Sequence, residues 1–327
     1  MSSNTKNITV VGGGIAGMQV AFQLSMLGFS ITLLEKQPKL GGRIAALANI
    51  FPQNEKGAEL TQRMVELIKM GAVTLQLFTE YQNYVLRENG LDVITNRGVL
   101  ENQQAVIMAN GFKLYDPTEK EELGYGIFKN VITASELESI LTNNELKRYI
   151  GANALPDIAF VHCVGSRDRQ IERNHCSKIC CMVGVKQAVE MKKRFPGGRV
   201  TNFYMDLRMY DEGFEELYYE AQACHKINFV RGRVSEISEN LDNKLLVRAE
   251  DTLLRKPLSG QFDLVVLLNG YEPAVKEEIA PIFYTKSSRT TTTINEAIAE
   301  ANSLALEVAN YFKLGLKLSD DRVWICN

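Results

Sequence analysis

Residues 8–17 read Ile-Thr-Val-Val-Gly-Gly-Gly-Ile-Ala-Gly, a short apolar run followed at once by spaced glycines. An apolar-periodic segment to about Leu27 predicts a helix, and Ile31–Leu34 predicts a second strand that ends at Glu35. In such a βαβ unit, the glycines permit a tight turn, close approach of the backbone to a pyrophosphate, and close packing of helix on strand. The stretch therefore predicts a dinucleotide-binding unit, with a glycine-rich turn of another α/β fold as the alternative.

The segment that follows this unit distinguishes between cofactors. Glu35 stands where a carboxylate accepts from ribose hydroxyls and would repel the 2′-phosphate of NADP. Residues 39–43 then read Lys-Leu-Gly-Gly-Arg, which resembles the second glycine pair of FAD-dependent oxidoreductases of the glutathione-reductase type. The resemblance implies that Gly41 and Gly42 pass close to the pyrophosphate and that Arg43 offers it a cation. The alternative is a plain turn with a surface arginine.

The order of predicted elements occurs twice along the chain. Strand, helix, strand, antiparallel meander and a strand ending in Asn-Gly lie within residues 8–117, and again within residues 157–273. This repetition predicts an α/β protein with two Rossmann-like domains of the thioredoxin-reductase/glutathione-reductase type. We expect an FAD-binding domain of residues 1–117 plus 274–327, and an NAD(P)H-domain-like region of residues 118–273.

The C-terminal segment predicts one more helix. Threonines at positions 290–293 offer N-caps, and the helix is expected to run to about Phe312. Similarity to glutathione-reductase-like flavoproteins implies that this helix returns to the first domain and places Thr293 and Ile294 at the pyrimidine edge of the flavin. An ordinary capped surface helix is the alternative.

Four of the six cysteines lie in residues 163–181, where the second half should carry its nucleotide loop. No Gly-x-Gly-x-x-Gly occurs there. Cys163 lies near the end of the predicted strand Asp157–Val164. A long helix is predicted from about Cys176 to Phe195. On such a helix Cys176 and Cys180 would face one side, and Cys181 would lie about 100° further round.

Converging thiolates suit either zinc or an iron–sulfur cluster. Zinc sites usually pair Cys-x₂₋₄-Cys hooks, and the spacing here is different, whereas adjacent cysteines can ligate different corners of a cubane. We therefore expect a [4Fe–4S] cluster in place of the NAD(P) loop, with a redox dithiol or vicinal disulfide, zinc, or inert thiols as alternatives. Basic side chains are available to offset the cluster's charge: Arg167, Arg169, Arg173 and Lys178.

Composition excludes some classes of function. The chain has 327 residues, is 45% hydrophobic and carries a formal net charge of −2, so it has no general attraction to nucleic acid or to an anionic membrane. No apolar run approaches the length of a transmembrane span, and the N-terminus does not resemble a signal peptide. We expect a cytoplasmic protein, where clustered cysteines favour metal or redox chemistry over structural disulfides.

Several segments together resemble the flavoprotein component of heterodisulfide reductase, its A subunit: residues 115–122, 124–133, 160–168, 176–188, 204–208 and 229–233. The resemblance implies a thioredoxin-reductase-like fold with FAD, and a [4Fe–4S] cluster on Cys163, Cys176, Cys180 and Cys181. It also implies that Lys186 lies near flavin N5 as the candidate catalytic residue, with a solvated lysine as the alternative. With the glycine fingerprint, the predicted cofactor-binding residues are Gly12, Gly14, Ala16, Gly17, Glu35, Lys36, Gly41, Gly42, Arg43, Gly111, Thr133, Lys186, Thr293 and Ile294.

The departures from that family narrow the expectation. Runs of Cys-x₂-Cys-x₂-Cys typical of ferredoxin domains are absent from the sequence, and residues 51–56 hold no cysteine. The chain thus resembles the short A-type component of heterodisulfide-reductase-like complexes of sulfur-oxidising prokaryotes, which speaks against electron bifurcation to ferredoxin.

We expect an electron-transfer subunit with FAD and a [4Fe–4S] cluster that works in oxidative sulfur metabolism. The implied partners are B- and C-type subunits and a sulfur carrier, and the chain is expected to form a homodimer. Two alternatives remain: a stand-alone pyridine-nucleotide-disulfide oxidoreductase with a redox-active cysteine pair, and a cofactor-bearing scaffold that assembles partner subunits.

Overall fold

The fold is given by a computed structural model that describes residues 5–151, 153–272 and 281–314. Its strands are β1 Asn7–Val11, β2 Ser30–Glu35, β3 Val73–Leu77, β4 Tyr81–Arg87, β5 Gly90–Thr95, β6 Gly98–Gln103, β7 Ala105–Met108, β8 Lys113–Leu114, β9 Val131–Thr133, β10 Asp157–Val164, β11 Arg199–Tyr204, β12 Asn228–Arg231, β13 Val234–Glu239, β14 Leu245–Asp251, β15 Lys256–Phe262, β16 Leu264–Asn269, β17 Tyr271–Glu272 and β18 Ile282–Tyr284.

The α-helices are α1 Ile15–Met26, α2 Gly57–Met70, α3 Ala134–Thr142, α4 Lys147–Ile150, α5 Cys180–Arg194, α6 Phe214–Ala223 and α7 Ile294–Leu314. Short 3₁₀ turns cover Ile44–Ala46, Pro117–Glu119, Glu121–Leu123 and Lys286–Ser288. Within the described ranges, no helix has the length and apolar character needed to cross a membrane.

The chain divides into two compact units. The first comprises Met1–Ala45, Gly57–Phe112 and Pro273–Asn327, and the second comprises Ala46–Lys56 and Lys113–Glu272. The sequence predicts boundaries at residues 117 and 273 and does not single out the short segment Ala46–Lys56, which the structure groups with the second unit.

The first unit is built on a parallel sheet in the order β18-β7-β1-β2-β3. Strand β1 lies at its centre and is buried from Ile8 onward, which explains its continuous apolar sequence. The antiparallel meander β4-β5-β6 belongs to the same unit. Helix α7 packs on α1, where Gln19 Nε2 donates to Asn302 Oδ1 at 2.7 Å.

The second unit repeats this architecture. Its parallel sheet has the order β12-β11-β10-β16-β9, with β10 at the centre, and β13-β14-β15 form a second meander. The predicted pair of Rossmann-like units is therefore confirmed as a fold. One difference is that the outermost strand next to β16 comes early in the unit, whereas its counterpart β18 comes from the end of the chain.

Two details of the predicted elements are wrong. The helix expected from about Cys176 begins only at Cys180, because the left-handed backbone of Lys178 cannot be part of a right-handed helix. The strands β6 and β15 are not evident from the sequence, because both are edge strands of meanders with mostly exposed residues and lack a regular apolar alternation. Pro257 and Gly260 further weaken the strand signal of β15.

Gly17 is the most tightly constrained position of the first turn. A Cβ added there would lie 1.8 Å from the carbonyl oxygen of Gly12 and 3.2 Å from Ala109 Cβ. A Cβ on Gly14 would have no neighbouring atom within 4 Å. Gly17 is therefore needed for the close packing of α1 on the first turn, whereas Gly14 borders open space.

We predict that Gly17→Ala lowers the free energy of unfolding of the protein, by about 1–3 kcal/mol for overpacking of this kind. Gly14→Ala is the matched control and should leave the free energy of unfolding nearly unchanged. Urea denaturation followed by circular dichroism measures both. Equal stability of the two variants would contradict the packing role of Gly17.

Candidate cofactor sites

The first candidate site is the turn between β1 and α1. Residues 12–14 join the two elements directly, and the Gly12 N–H donates to Leu34 O at 2.8 Å. Gly12 has φ of +108°, a conformation open to glycine but strained for other residues. The N-terminus of α1 thus opens onto free space beyond Gly14, the arrangement that binds phosphate groups in dinucleotide folds.

Glu35 braces this turn from the end of β2. Its Oε2 accepts from Gly13 N at 2.7 Å, and its Oε1 accepts from Gln37 N at 2.8 Å. The side chain is buried, so its orientation is held by the backbone. Each carboxylate oxygen keeps further lone-pair capacity, which is what a carboxylate needs to accept from ribose hydroxyls. The hydrogen bond from Gly13 to Glu35 is not visible in the sequence.

The second glycine pair lies against the first turn. Gly41 N donates to Gly13 O at 2.8 Å, and a Cβ on Gly42 would lie 3.1 Å from Gly14 Cα. Arg43 Nη2 donates to Phe112 O at 2.7 Å, with the guanidinium 4.6 Å from the Phe112 ring centroid. The structure thus brings residues 12–14 and 41–43 together, as a shared dinucleotide site requires, while the pyrophosphate contact of Arg43 stays a prediction.

The remaining predicted cofactor residues differ in their surroundings. Ala16 is buried in α1, Lys36 is exposed after β2, and Gly111 has φ of +68° with open space at its Cβ position. Thr133 and Thr293 each form a capping box, with Glu136 at the start of α3 and with Glu296 at the start of α7. The predicted N-cap at Thr293 is confirmed, whereas cofactor contacts at these positions and at Ile294 stay predictions.

The second candidate site occupies the corresponding place in the other unit. Strand β10 and helix α5 are joined by residues 165–179, where β1 and α1 are joined by residues 12–14. Cys163 lies in β10 with φ of +62°, where the register with β16 shifts between Val161 and Val164. A left-handed non-glycine residue costs about 1–3 kcal/mol and is typical of functional sites. The bulge turns this one side chain out of the regular strand alternation.

Cys176 does not lie on the helix that the sequence predicts for it. Lys178 has φ of +59°, which a right-handed helix cannot accommodate, and its N–H donates to Cys176 Sγ at 3.3 Å. Ser177 Oγ accepts from Tyr271 N at 3.2 Å, so the segment is tied to β17 instead of continuing α5. Cys176 therefore approaches from a loop, and Cys180 and Cys181 from the first turn of α5.

The cysteine segment is held by a buried carboxylate. Asp168 is 1% exposed and pairs with Lys120 Nζ at 2.8 Å and with Arg233 Nη2 at 2.7 Å. Its backbone exchanges two 2.8 Å hydrogen bonds with Arg173 across the loop. Burial by itself would raise the pKa of Asp168, but hydrogen bonds from Lys120 and from the Gln170 N–H, with the charge of Arg233, lower it below its ordinary value.

We predict that Asp168→Asn lowers the free energy of unfolding by about 3 kcal/mol at neutral pH, because Lys120 loses its buried partner. Since the folded pKa of Asp168 is lowered, its contribution is present above the unfolded pKa of about 3.9 and is lost as pH falls through the folded value. Urea denaturation at neutral and acidic pH should show the difference from wild type shrinking towards acid.

The control for this experiment is Glu236→Gln, which removes a surface partner of Arg248. That variant should stay within about 0.5 kcal/mol of wild type, as expected for an exposed pair. A constant penalty of Asp168→Asn at all pH values would contradict the ion-pair explanation.

The four thiols influence one another electrostatically. Burial, with the charges of the Cys181 and Cys176 thiols, raises the pKa of Cys163 to about 11, although Arg167 acts to lower it. Hydrogen bonding within the Cys180–Cys181 pair raises the pKa of Cys180 and lowers that of Cys181. Among the described residues, no group of three or more His, Cys, Asp or Glu side chains is arranged to hold a metal ion, so a cluster on these thiols is a proposal.

The basic residues of the segment do not act together. Arg167 approaches Cys163 and pairs with Asp206 at 2.6 Å. Arg173 pairs instead with Glu272 at 2.6 Å, and Lys178 Nζ lies 5.9 Å from the ring centroid of Tyr210. Arg169 is exposed. The expectation that all four offset the charge at the thiols is thus supported for Arg167.

Lys186 is bound inside the second unit. Its Nζ donates to Glu138 Oε1 at 2.6 Å and to Asn49 O at 2.9 Å, and its side chain is 12% exposed. Glu138 also accepts from Gln187 Nε2 at 2.9 Å and from Ala48 N at 3.0 Å. The alternative of a solvated lysine is wrong, and the contact with flavin N5 stays a prediction.

The sequence did not reveal the buried side chains that pair with Lys186 and with His162. Glu138 stands between the core residues Leu137 and Ile140 of α3, and this acidic residue inside an apolar pattern is the available signal. His162 is buried in β10, with its Nε2 2.9 Å from Asn202 Oδ1. Nothing in the linear sequence pairs His162 with Asn202.

Comparison with known proteins first defines the class of fold. Residues 10–66 match the family described as NAD(P)-binding Rossmann-like domain. Thioredoxin reductase of T. acidophilum superposes with a TM-score of 0.68 at 15% identity over 94% of this chain and 99% of that structure. Thioredoxin reductase of Lactococcus lactis gives 0.68 at 18% identity over 95% and 100%. The fold is therefore that of thioredoxin reductase.

Sequence comparison is more specific. The chain is 32% identical to the A subunit of the H(2):CoB-CoM heterodisulfide,ferredoxin reductase of Methanothermobacter thermautotrophicus, over 81% of this chain and 53% of that protein. It is 30% identical to the iron-sulfur A subunit of the CoB--CoM heterodisulfide reductase of Methanocaldococcus jannaschii, over 82% and 54%. The chain thus spans about half the length of these relatives and is similar to the heterodisulfide reductase A subunits.

Proposed function

We propose that the chain is an oxidoreductase subunit that binds FAD in its first unit and a [4Fe–4S] cluster in its second, and passes electrons between them. The observation that carries this proposal is the contrast between the two βα turns. One turn is made of glycines, and its counterpart is residues 165–179 with thiols on either side. Oxidoreductase function also agrees with the relatives, which are reductase subunits.

The residues of the first unit fit a dinucleotide. The open space at Gly14, the N-terminus of α1 and the fixed carboxylate of Glu35 would hold a pyrophosphate and a ribose. Gly41, Gly42 and Arg43 favour FAD over NAD because they extend the site on the side of Gly13 and Gly14. Bound FAD supplies electron transfer chemistry that no side chain of the protein can provide.

The residues of the second unit fit a cluster in their donor chemistry. Cys163 has a strained, left-handed backbone conformation. Cys180 and Cys181 are buried on the first turn of α5. Cys176 lies on the loop of residues 165–179, next to the Ser177 that Tyr271 holds, and is proposed to supply the fourth thiolate. A bound [4Fe–4S] cluster would accept and release single electrons.

The similarity to heterodisulfide reductase A subunits supports the biological setting. We propose that the chain works with B- and C-type subunits and a sulfur carrier in a heterodisulfide-reductase-like complex of oxidative sulfur metabolism. Lys186, carried by the same helix as Cys180 and Cys181, is proposed as the residue that contacts flavin N5.

A second function is favoured by one observation. The Cys180 and Cys181 thiols interact directly, which would also suit a redox-active pair in a stand-alone disulfide oxidoreductase. Such an enzyme needs a nicotinamide site, and residues 165–179 carry no Gly-x-Gly-x-x-Gly. Rapid bleaching of the flavin by NADH or NADPH would favour this second function.

We predict that Cys163→Ala, purified anaerobically, loses the iron–sulfur absorption and the EPR signal of the reduced protein and retains FAD, because Cys163 is a ligand of the cluster alone. Iron and sulfide are quantified per chain, and flavin is measured after release by heat. Wild-type protein should hold about four irons per chain.

The matched control is Cys224→Ala, since Cys224 is an exposed cysteine at the end of α6 and is not one of the proposed cluster ligands. That variant should keep both cofactors. Cluster absorption that survives Cys163→Ala would overturn the ligand set, and a wild-type iron content below about two per chain would overturn the cluster itself.

A further inference from the structure

Arg167 is the basic residue that the cysteine segment directs towards its own thiols. It follows Cys163 by one short turn and has φ of +53°, and its N–H donates to His175 O at 3.0 Å. Its backbone is thereby fixed in a left-handed conformation that a non-glycine residue seldom adopts.

The guanidinium is positioned by Asp206, which follows β11. Arg167 Nη2 donates to Asp206 Oδ2 at 2.6 Å, and the other carboxylate oxygen accepts from Arg231 Nη2 at 3.2 Å. The backbone carbonyl of Asp206 lies 3.8 Å from Cys181 Sγ. Asp206 thus connects two arginines, and of these Arg167 is the one that approaches a cysteine.

The second terminal nitrogen of Arg167 has no ordinary acceptor. Nη1 is buried and finds no hydrogen-bond partner of good geometry among the described residues. A buried N–H without an acceptor costs free energy, so such groups in native proteins generally have a partner. The carboxylate that holds the guanidinium belongs to Asp206, whose backbone carbonyl lies against Cys181 Sγ, so Nη1 is buried in the neighbourhood of the thiols, and Arg167 lowers the pKa of the Cys163 thiol.

We propose that Arg167 donates a hydrogen bond from Nη1 to the Cys163 sulfur of the bound cluster and thereby raises the reduction potential of that cluster. The proposal rests on the proposed function and deepens it. Arg167 is a positioning residue, because it contacts a ligand sulfur rather than substrate. Hydrogen bonds to cluster sulfurs are among the factors that set iron–sulfur potentials.

The physical reason is the extra negative charge of the reduced state. An N–H donor and a fixed positive charge stabilise the sulfur more in the reduced cluster than in the oxidised one. Because the Arg167 guanidinium stays protonated at all accessible pH values, this effect needs no proton uptake. Electrons would therefore reach the cluster more easily with Arg167 than without it.

Arg167→Gln tests the proposal, with Arg231→Gln as the matched control. Both variants remove one positive charge from the same carboxylate, but Arg231 is nearly half exposed and its Nε donates to Met205 O at 3.1 Å. The cluster midpoint potential is measured by EPR-monitored redox titration of anaerobic, cofactor-loaded protein. We expect a more negative midpoint for Arg167→Gln and a markedly smaller shift for Arg231→Gln, with iron content unchanged.

Arg167→Lys separates charge from hydrogen-bond geometry and serves if Arg167→Gln loses iron. If Arg167→Gln holds a cluster, a midpoint potential of Arg167→Lys between those of wild type and Arg167→Gln supports the proposal. If Arg167→Gln holds no cluster, a midpoint potential of Arg167→Lys below that of wild type supports it. Equal shifts for Arg167→Gln and Arg231→Gln overturn it, as does a wild-type midpoint in Arg167→Lys when Arg167→Gln holds no cluster. Absence of iron from wild type would instead refute the proposed function.

Discussion

The buried carboxylate of Asp168 is the interaction on which the second unit's distinctive segment depends. Residues 165–179 contain several left-handed residues and little regular structure, so they cannot hold a shape by local propensity. Asp168 joins Lys120 and Arg233 to this segment from two other parts of the chain. Removing the charge of Asp168 would leave the buried Lys120 with only the half-exposed Glu122 as a partner, which is why one side chain can organise a whole loop.

The two units share one architecture and differ in the turn that follows the central strand. Both place the central strand of a parallel sheet before a helix, and both use the turn between them. In the first unit the turn is short and made of glycine, because the backbone itself must approach a ligand. In the second unit the connection is long and strained, and it presents side chains, among them Cys163 and Arg167. Ligand chemistry follows from what the turn presents.

The buried polar groups of the second unit concentrate around the same helix. Lys186 is neutralised by Glu138, while His162 is held by Asn202 and lies beside Cys181. Buried charges are stable only when paired, so these pairs mark positions where the protein tolerates a cost for chemistry. Their presence on and next to α5 agrees with a helix that serves a redox centre.

The sequence by itself determined the dinucleotide turn, the repeated α/β architecture and the grouping of cysteines, because glycine spacing and apolar periodicity are local properties of the chain. Only the tertiary structure decided how the cysteines approach one another. The helix predicted from Cys176 begins at Cys180, since Ser177 is held by Tyr271 from a distant strand. The pairing of Asp168, Glu138 and Arg167 with their partners likewise depends on contacts between residues far apart in the chain, which no local pattern records.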